Sequence, residues 1–245
     1  VITLLPSEIR RQVGRRGSFF GATIWISLFG LGVFVWAILN VNASGAKAIE
    51  SGGGLLTFAV ALASIVVGAT AGAYDVDQGI MRYLVMTGRP RLQLVLVRVP
   101  ALIATVVLMT LPALVMILLG SVIAGGPSAS GGAYFDLLYM TWMTGLLYGV
   151  LSLAIGMFMK SNGVAIAVAV VLNFAGLLIA GAIMEYVSKD LGNAFFPVVA
   201  GVVIARDSGE GADAALSVGL SAVLVAGWLI AALGAAYARV QRTEY

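Results

Sequence analysis

The chain has 245 residues, 61% of them hydrophobic and only 10% charged, with a formal net charge of +3. A soluble domain carries roughly 25% charged residues, so too little charge is present to cover a water-facing surface, and the apolar surplus points to lipid. The absence of Cys and His excludes disulfides, thiol chemistry, thiolate or imidazole metal sites, haem held by an axial His, and serine hydrolases that need a His base.

Residues 3–17, TLLPSEIRRQVGRRG, begin with Pro6, Ser7 and Glu8, a helix-start pattern. Leu5, Ile9 and Val13 recur four apart, and arginines including Arg10 and Arg16 occupy the other faces. This spacing predicts an amphipathic helix lying on the membrane surface. Ile9, Arg10, Val13 and Arg16 are the side chains with which it would brace a partner; the plainer alternative is a basic anchor.

Windows without any charge follow at 17–46, 51–74, 99–135, 137–159, 161–184 and 214–238. Each exceeds the about 20 residues that carry a helix across a hydrocarbon core of roughly 30 Å. They predict an all-α membrane protein, a single transmembrane domain over 1–245, with spans at about 18–41, 54–74, 93–124, 135–159, 162–184 and 214–238. The first apolar run is far longer than the roughly 7–15 residues of a signal-peptide core, so it is expected to stay as a span.

Between spans two and three, residues 75–91 form the loop richest in chemistry. It predicts a short helix from about 76 to 86, stopped by Thr87-Gly88 ahead of Pro90. Arg98 is expected in the interface, mainly anchoring span three. The loop at 185–213 is long and acidic, and contains an apolar stretch at 191–205 interrupted by Pro197 and Gly201. That stretch is too short to cross and predicts an interfacial segment before span six. Gly68 and Gly72, and Gly145 and Gly149, each place small residues four apart, a spacing that permits close helix packing. Pro112 is expected to kink span three.

Orientation follows from the basic residues. With the N-terminus inside and six crossings, 11 of the 14 Lys and Arg residues lie inside, and only Lys47, Lys189 and Arg206 lie outside. The positive-inside rule therefore puts both termini in the cytoplasm. The basic residues are scattered between apolar runs, which argues against nucleic acid as a partner.

No span carries a charge at mid-membrane, so neither a proton relay nor a sodium-carboxylate pair is visible. A phosphate-binding loop is also missing: Gly156-Met-Phe-Met-Lys160-Ser161 lacks the Gly before Lys. Thr57, Ser64 and Asn173 are candidate polar groups for lining a pathway, although helix-packing hydrogen bonds would explain them equally. Transport by this chain would need energy from another polypeptide.

The layout, a basic amphipathic helix, six spans, a structured loop after span two and a long outer loop before span six, resembles the permease subunits of ABC-2-type ABC transporters. Asp77-Gln78-Gly79-Ile80-Met81-Arg82-Tyr83-Leu84 followed by Thr87-Gly88-Arg89-Pro90-Arg91 is similar to that family's loop pattern. It departs in having Asp77-Gln78 where Glu-Arg is usual and Ile80 where Thr is usual. The resemblance implies that 75–91 holds a cytoplasmic coupling helix seated in an ABC ATPase subunit, with Asp77, Gln78, Arg82, Tyr83, Leu84 and Arg89 as docking residues. It also implies no catalysis and no cofactor in this chain, with ATP and Mg on the partner. The pathway would form with a second permease copy or a related permease, lined by spans two and five. The expected setting is the bacterial inner (plasma) membrane, and the expected direction is export. Two other readings stand beside it: a membrane scaffold or assembly factor, and an intramembrane lipid-modifying enzyme built on Asp75, Asp77, Arg82 and Arg98.

Overall fold

A computed structural model describes residues 4–40, 44–80, 86, 90–124, 129–189, 191–192 and 218–242. Among these residues the fold is entirely helical: α1 (Leu5–Val13), α2 (Arg16–Leu39), α3 (Gly45–Asp77), α4 (Arg91–Leu96), α5 (Arg98–Ile123), α6 (Gly131–Phe158), α7 (Asn162–Tyr186) and α8 (Val218–Arg242). Six helical segments are long and apolar enough to cross a membrane, with α4 and α5 counting together as one. Their outer faces carry large apolar side chains such as Leu39, Val122 and Leu178. Contiguous exposed apolar surface on this scale is what a bilayer covers.

The helix α3 is the central element, packed on α2, α5, α6 and α7. At 33 residues and about 1.5 Å per residue it is about 50 Å long, well beyond a hydrocarbon core of roughly 30 Å. It begins earlier than the sequence indicates, at a cap where the Ser44 side chain accepts from the Lys47 amide. The helix then runs through Gly52, Gly53 and Gly54, although each Gly costs about 1 kcal/mol of helix propensity. Packing offsets this: a Cβ on Gly52 would lie 2.7 Å from Val33 Cγ1 of α2.

Glycines also set the α3–α6 contact. A Cβ on Gly68 would strike the carbonyl of Gly149, and one on Gly72 would strike the carbonyl of Leu153 and lie 2.9 Å from Gly156 Cα. Gly68 and Gly72 thus form a close-packing face, as their spacing predicts. On α6, Gly156 turns toward Ala69 and Gly72 of α3, Gly149 offers its backbone to Gly68 while its own Cβ would meet Leu102 of α5, and Gly145 turns toward Val106 and Val60.

Span three is broken at its start. The helix pauses at Val97 between α4 and α5, because Pro100 has no N–H to donate back to the Leu96 carbonyl. By contrast, α5 stays helical through Pro112. The stretch expected as an independent helix from 76 begins differently. Val76 and Asp77 are the last residues of α3, and the chain turns at Gln78-Gly79, where Gly79 adopts φ +68°. A positive φ suits Gly at a helix end. Ile80 and Met86 are helical; residues 81–85 and 87–89 lie outside the described residues, as does most of the segment expected at 191–205.

Candidate functional site

One end of the bundle gathers most of the buried charge, and Asp75 is its centre. This aspartate lies near the end of α3 and is fully buried. Arg98 Nη2 meets Asp75 Oδ2 at 2.5 Å, Arg11 Nη2 meets the same oxygen at 2.9 Å, and Arg15 Nη2 meets Oδ1 at 3.1 Å. Three segments distant in sequence therefore converge on one carboxylate: α1, the α1–α2 joint and the start of α5.

Each guanidinium is held by more than the carboxylate. Arg98 Nη1 donates to the carbonyls of Ala71 and Gly72 at 3.1 and 3.2 Å, and Arg15 Nη1 donates to that of Thr70 at 3.1 Å. These carbonyls lie between one and two turns before the end of α3 and give the guanidinium groups acceptors besides the carboxylate. The Arg15 guanidinium also lies 4.4 Å from the Tyr74 ring centroid, a cation–π contact. Arg11 bridges to Glu8 at 2.5 Å. Burial opposes the charge on Arg11, but attraction to Asp75 and Glu8 outweighs it and holds its pKa above the ordinary value. Burial lowers the Arg15 pKa; Asp75 offsets part of this, while Arg11 and Arg98 add to it. Arginine nonetheless stays charged, because its reference pKa lies so far above neutrality.

This pairing explains how α1 sits. Its most buried residues are Glu8 and Gln12, whereas Ile9 and Val13 are half-buried and Arg10 is exposed. The helix thus turns a polar seam toward the bundle. That seam is tolerated because its groups are paired: Glu8 with Arg11, and Gln12 Oε1 accepting from Thr105 Oγ1 of α5 at 3.1 Å. The side chain of Arg16 lies outside the described residues.

Arg98 therefore differs from a simple interfacial anchor. It is 1% exposed and among the largest fully buried side chains. A second arginine in span three acts on the far end of the chain: Arg91 Nη1 donates to the carbonyls of Val240 and Gln241, at 2.8 and 2.7 Å. These belong to the last turn of α8, a cation at a helix C-terminus.

Of the residues proposed for docking, Asp77 and Gln78 are exposed at the end of α3, and Gln78 Nε2 donates to Asp77 Oδ2 at 3.2 Å. Arg82, Tyr83, Leu84 and Arg89 lie outside the described residues. Asp77 is exposed and stands apart from the buried Asp75, so among the described residues of the set considered for an enzyme the structure joins Asp75 and Arg98, while Arg82 lies outside them. With three guanidinium groups on its two oxygens, Asp75 is already engaged and has little capacity left for a substrate.

The candidate pathway residues sit variously. Thr57 is half-buried, and its hydroxyl donates back to the carbonyls of Gly53 and Gly54. Ser64 is fully buried between α3 and α6, near Gly145. Asn173 of α7 is buried, its Nδ2 donating to Ala169 O at 2.7 Å and to Ser152 Oγ of α6 at 3.2 Å. The last two face the interior of this bundle.

Arg11 and Arg15 are the functional candidates that sequence reasoning missed as partners of Asp75. A usable signal existed: Asp75 directly abuts a long charge-free window, a position that calls for a cation from elsewhere in the chain. Compared with known proteins, the chain matches no family model, and no curated sequence matches it.

Proposed function

We propose that this chain is the membrane-spanning permease subunit of an ATP-driven ABC transporter of the ABC-2 type, working as an exporter. The arginine-rich end faces the cytoplasm of a bacterial plasma membrane, with both termini inside. The pathway forms with a second copy or a related permease, and a separate ATPase subunit supplies the energy.

The observation that carries this reading is the rooting of the loop between α3 and α4. The helix α3 ends at Asp77, two residues after Asp75, and α4 begins at Arg91. Asp75 and Arg98, on either side of that loop, are joined directly, and Arg91 fastens the end of α8. Arg11 and Arg15 tie α1 to the same carboxylate. A push on such a loop moves α1, α3, α5 and α8 together instead of being absorbed by a soft hinge. Coupling of this kind needs a contiguous, stiff set of contacts. The exposed Asp77 and Gln78 stand at the root of the docking surface, and mixed charge there would set register on a partner.

The test is purification in mild detergent with nucleotide hydrolysis assayed in the eluate. An ATPase is expected to co-elute with the wild type and to be released by Arg82→Glu combined with Tyr83→Ala. Elution of a folded wild type with no nucleotide-hydrolysing partner would remove the energy source, and with it this reading in favour of a scaffold.

A further inference from the structure

A cavity of about 330 Å³ lies between α6, α7 and α8, at the small end of the range for ligand pockets. Its wall is made by side chains including Leu151, Ile155, Phe158, Leu172 and Trp228, and by one polar residue, Asn173. Leu172 and Phe158 are partly exposed on the outer face, so the cavity opens sideways toward lipid.

Asn173 is 2% exposed. Its amide nitrogen is fully used, donating to Ala169 O and Ser152 Oγ. Its Oδ1 is buried and accepts no hydrogen bond. Rotating the amide does not help, because Oδ1 would then face the Ala169 carbonyl, acceptor against acceptor. An unmet acceptor in an apolar setting is costly, and the hydrocarbon of a bilayer offers no donor. A water molecule is a poor answer, since a buried water needs two to four polar partners and Asn173 is the one non-aromatic polar side chain on this wall. A charged ammonium group is a poor answer too, because no lining residue is acidic and the desolvation penalty would stand uncompensated.

We infer that this cavity is a binding site for a neutral single-chain amphiphile whose hydroxyl donates to Asn173 Oδ1 while its hydrocarbon body fills the space against Trp228 and Ile155. The site enters from the bilayer. It stands independently of the transporter reading, since it invokes neither a partner nor the loop.

The experiment uses the full chain in nanodiscs and a decanol analogue bearing a photoactivatable diazirine on its chain, with labelled peptides mapped by mass spectrometry. Label is expected on the α7 and α8 segments around Leu172 and Trp228. Decanol should displace it at about tenfold lower bilayer mole fraction than decyl methyl ether, which has no donor; tenfold is the ratio for one net hydrogen bond near the top of the usual range. Asn173→Leu should erase that difference. Ala231→Phe, at an exposed position on the cavity wall, should prevent labelling while leaving the fold intact. Equal competition by alcohol and ether in the wild type would overturn the proposal. So would label elsewhere on the chain, or labelling unchanged in Ala231→Phe.

Discussion

Asp75 and Asn173 are both buried polar side chains on otherwise apolar helices, and they are used in opposite ways. Asp75 lies within α3, the most enclosed span, with 61% of its most apolar window buried, against 18% for α7, which carries Asn173. Both oxygens of Asp75 are occupied by cations from three other places in the chain. Asn173 makes two bonds through its nitrogen and none through its oxygen. The difference separates a joint from a socket. A buried carboxylate with both oxygens engaged fixes how segments meet, although Arg11 Nε and Arg15 Nε in the same cluster find no hydrogen-bond partner. A buried acceptor without a donor, on a residue that lines a cavity, is what the proposed ligand would satisfy.

The largest expected effect falls on the joint. Asp75→Asn keeps the shape and leaves three guanidinium groups facing each other without their shared anion. Breaking a buried ion pair from one side costs about 3–5 kcal/mol, so thermal unfolding in detergent should show a strongly destabilised protein or none that can be purified. A midpoint unchanged from wild type would mean that Asp75 is not the hub. Arg98→Ala should be nearly as severe, so loss of function in that variant cannot separate an enzyme from a transporter.

A somewhat smaller effect is expected at the contact that carries Asp75 into place. Gly72→Leu forces α3 away from α6, where backbone lies within contact of Gly72. Overpacking of this kind costs typically about 1–3 kcal/mol, measurable as a lowered unfolding midpoint. Gly54→Leu, at an open position on the same helix, serves as the control and should change little.

The smallest effect belongs to the socket. Asn173→Leu combined with Ser152→Ala removes the orphaned acceptor together with its donors and the buried hydroxyl that one of them serves, and replacing both partners by apolar groups of similar shape is close to neutral. The unfolding midpoint should stay within the range of a surface substitution, roughly 0.5 kcal/mol. A loss comparable to that of Asp75→Asn would make Asn173 a structural joint as well and erase the contrast.

The parts of the fold readable in the sequence were those set by single-segment properties. Six charge-free windows foretell six long apolar helices because the penalty for charge in lipid acts on each span separately. The Gly68–Gly72 spacing foretells a close-packing face for a similarly local reason. What escaped depends on segments meeting. The charges at Asp75 and Asp77 read as the end of span two, but α3 continues past Asp75 because arginines from α1 and α5 neutralise it. Span two is expected from about 54, yet α3 runs helical through Gly52, Gly53 and Gly54, with Gly52 packed against Val33 and Gly53 against Leu137. Leu5, Ile9 and Val13 mark an apolar stripe on α1, whereas its most buried side is Glu8 and Gln12, since those groups find partners in the bundle. No periodicity in α1 could reveal that Asp75, about sixty residues later, waits for Arg15.

The most direct test of the coupling claim is a site-specific photo-crosslinker at position 83, activated in intact membranes. The account predicts one major adduct whose partner polypeptide hydrolyses ATP, and loss of that adduct with Arg82→Glu and Arg89→Glu. Adducts formed only with polypeptides that lack nucleotide hydrolysis would contradict it.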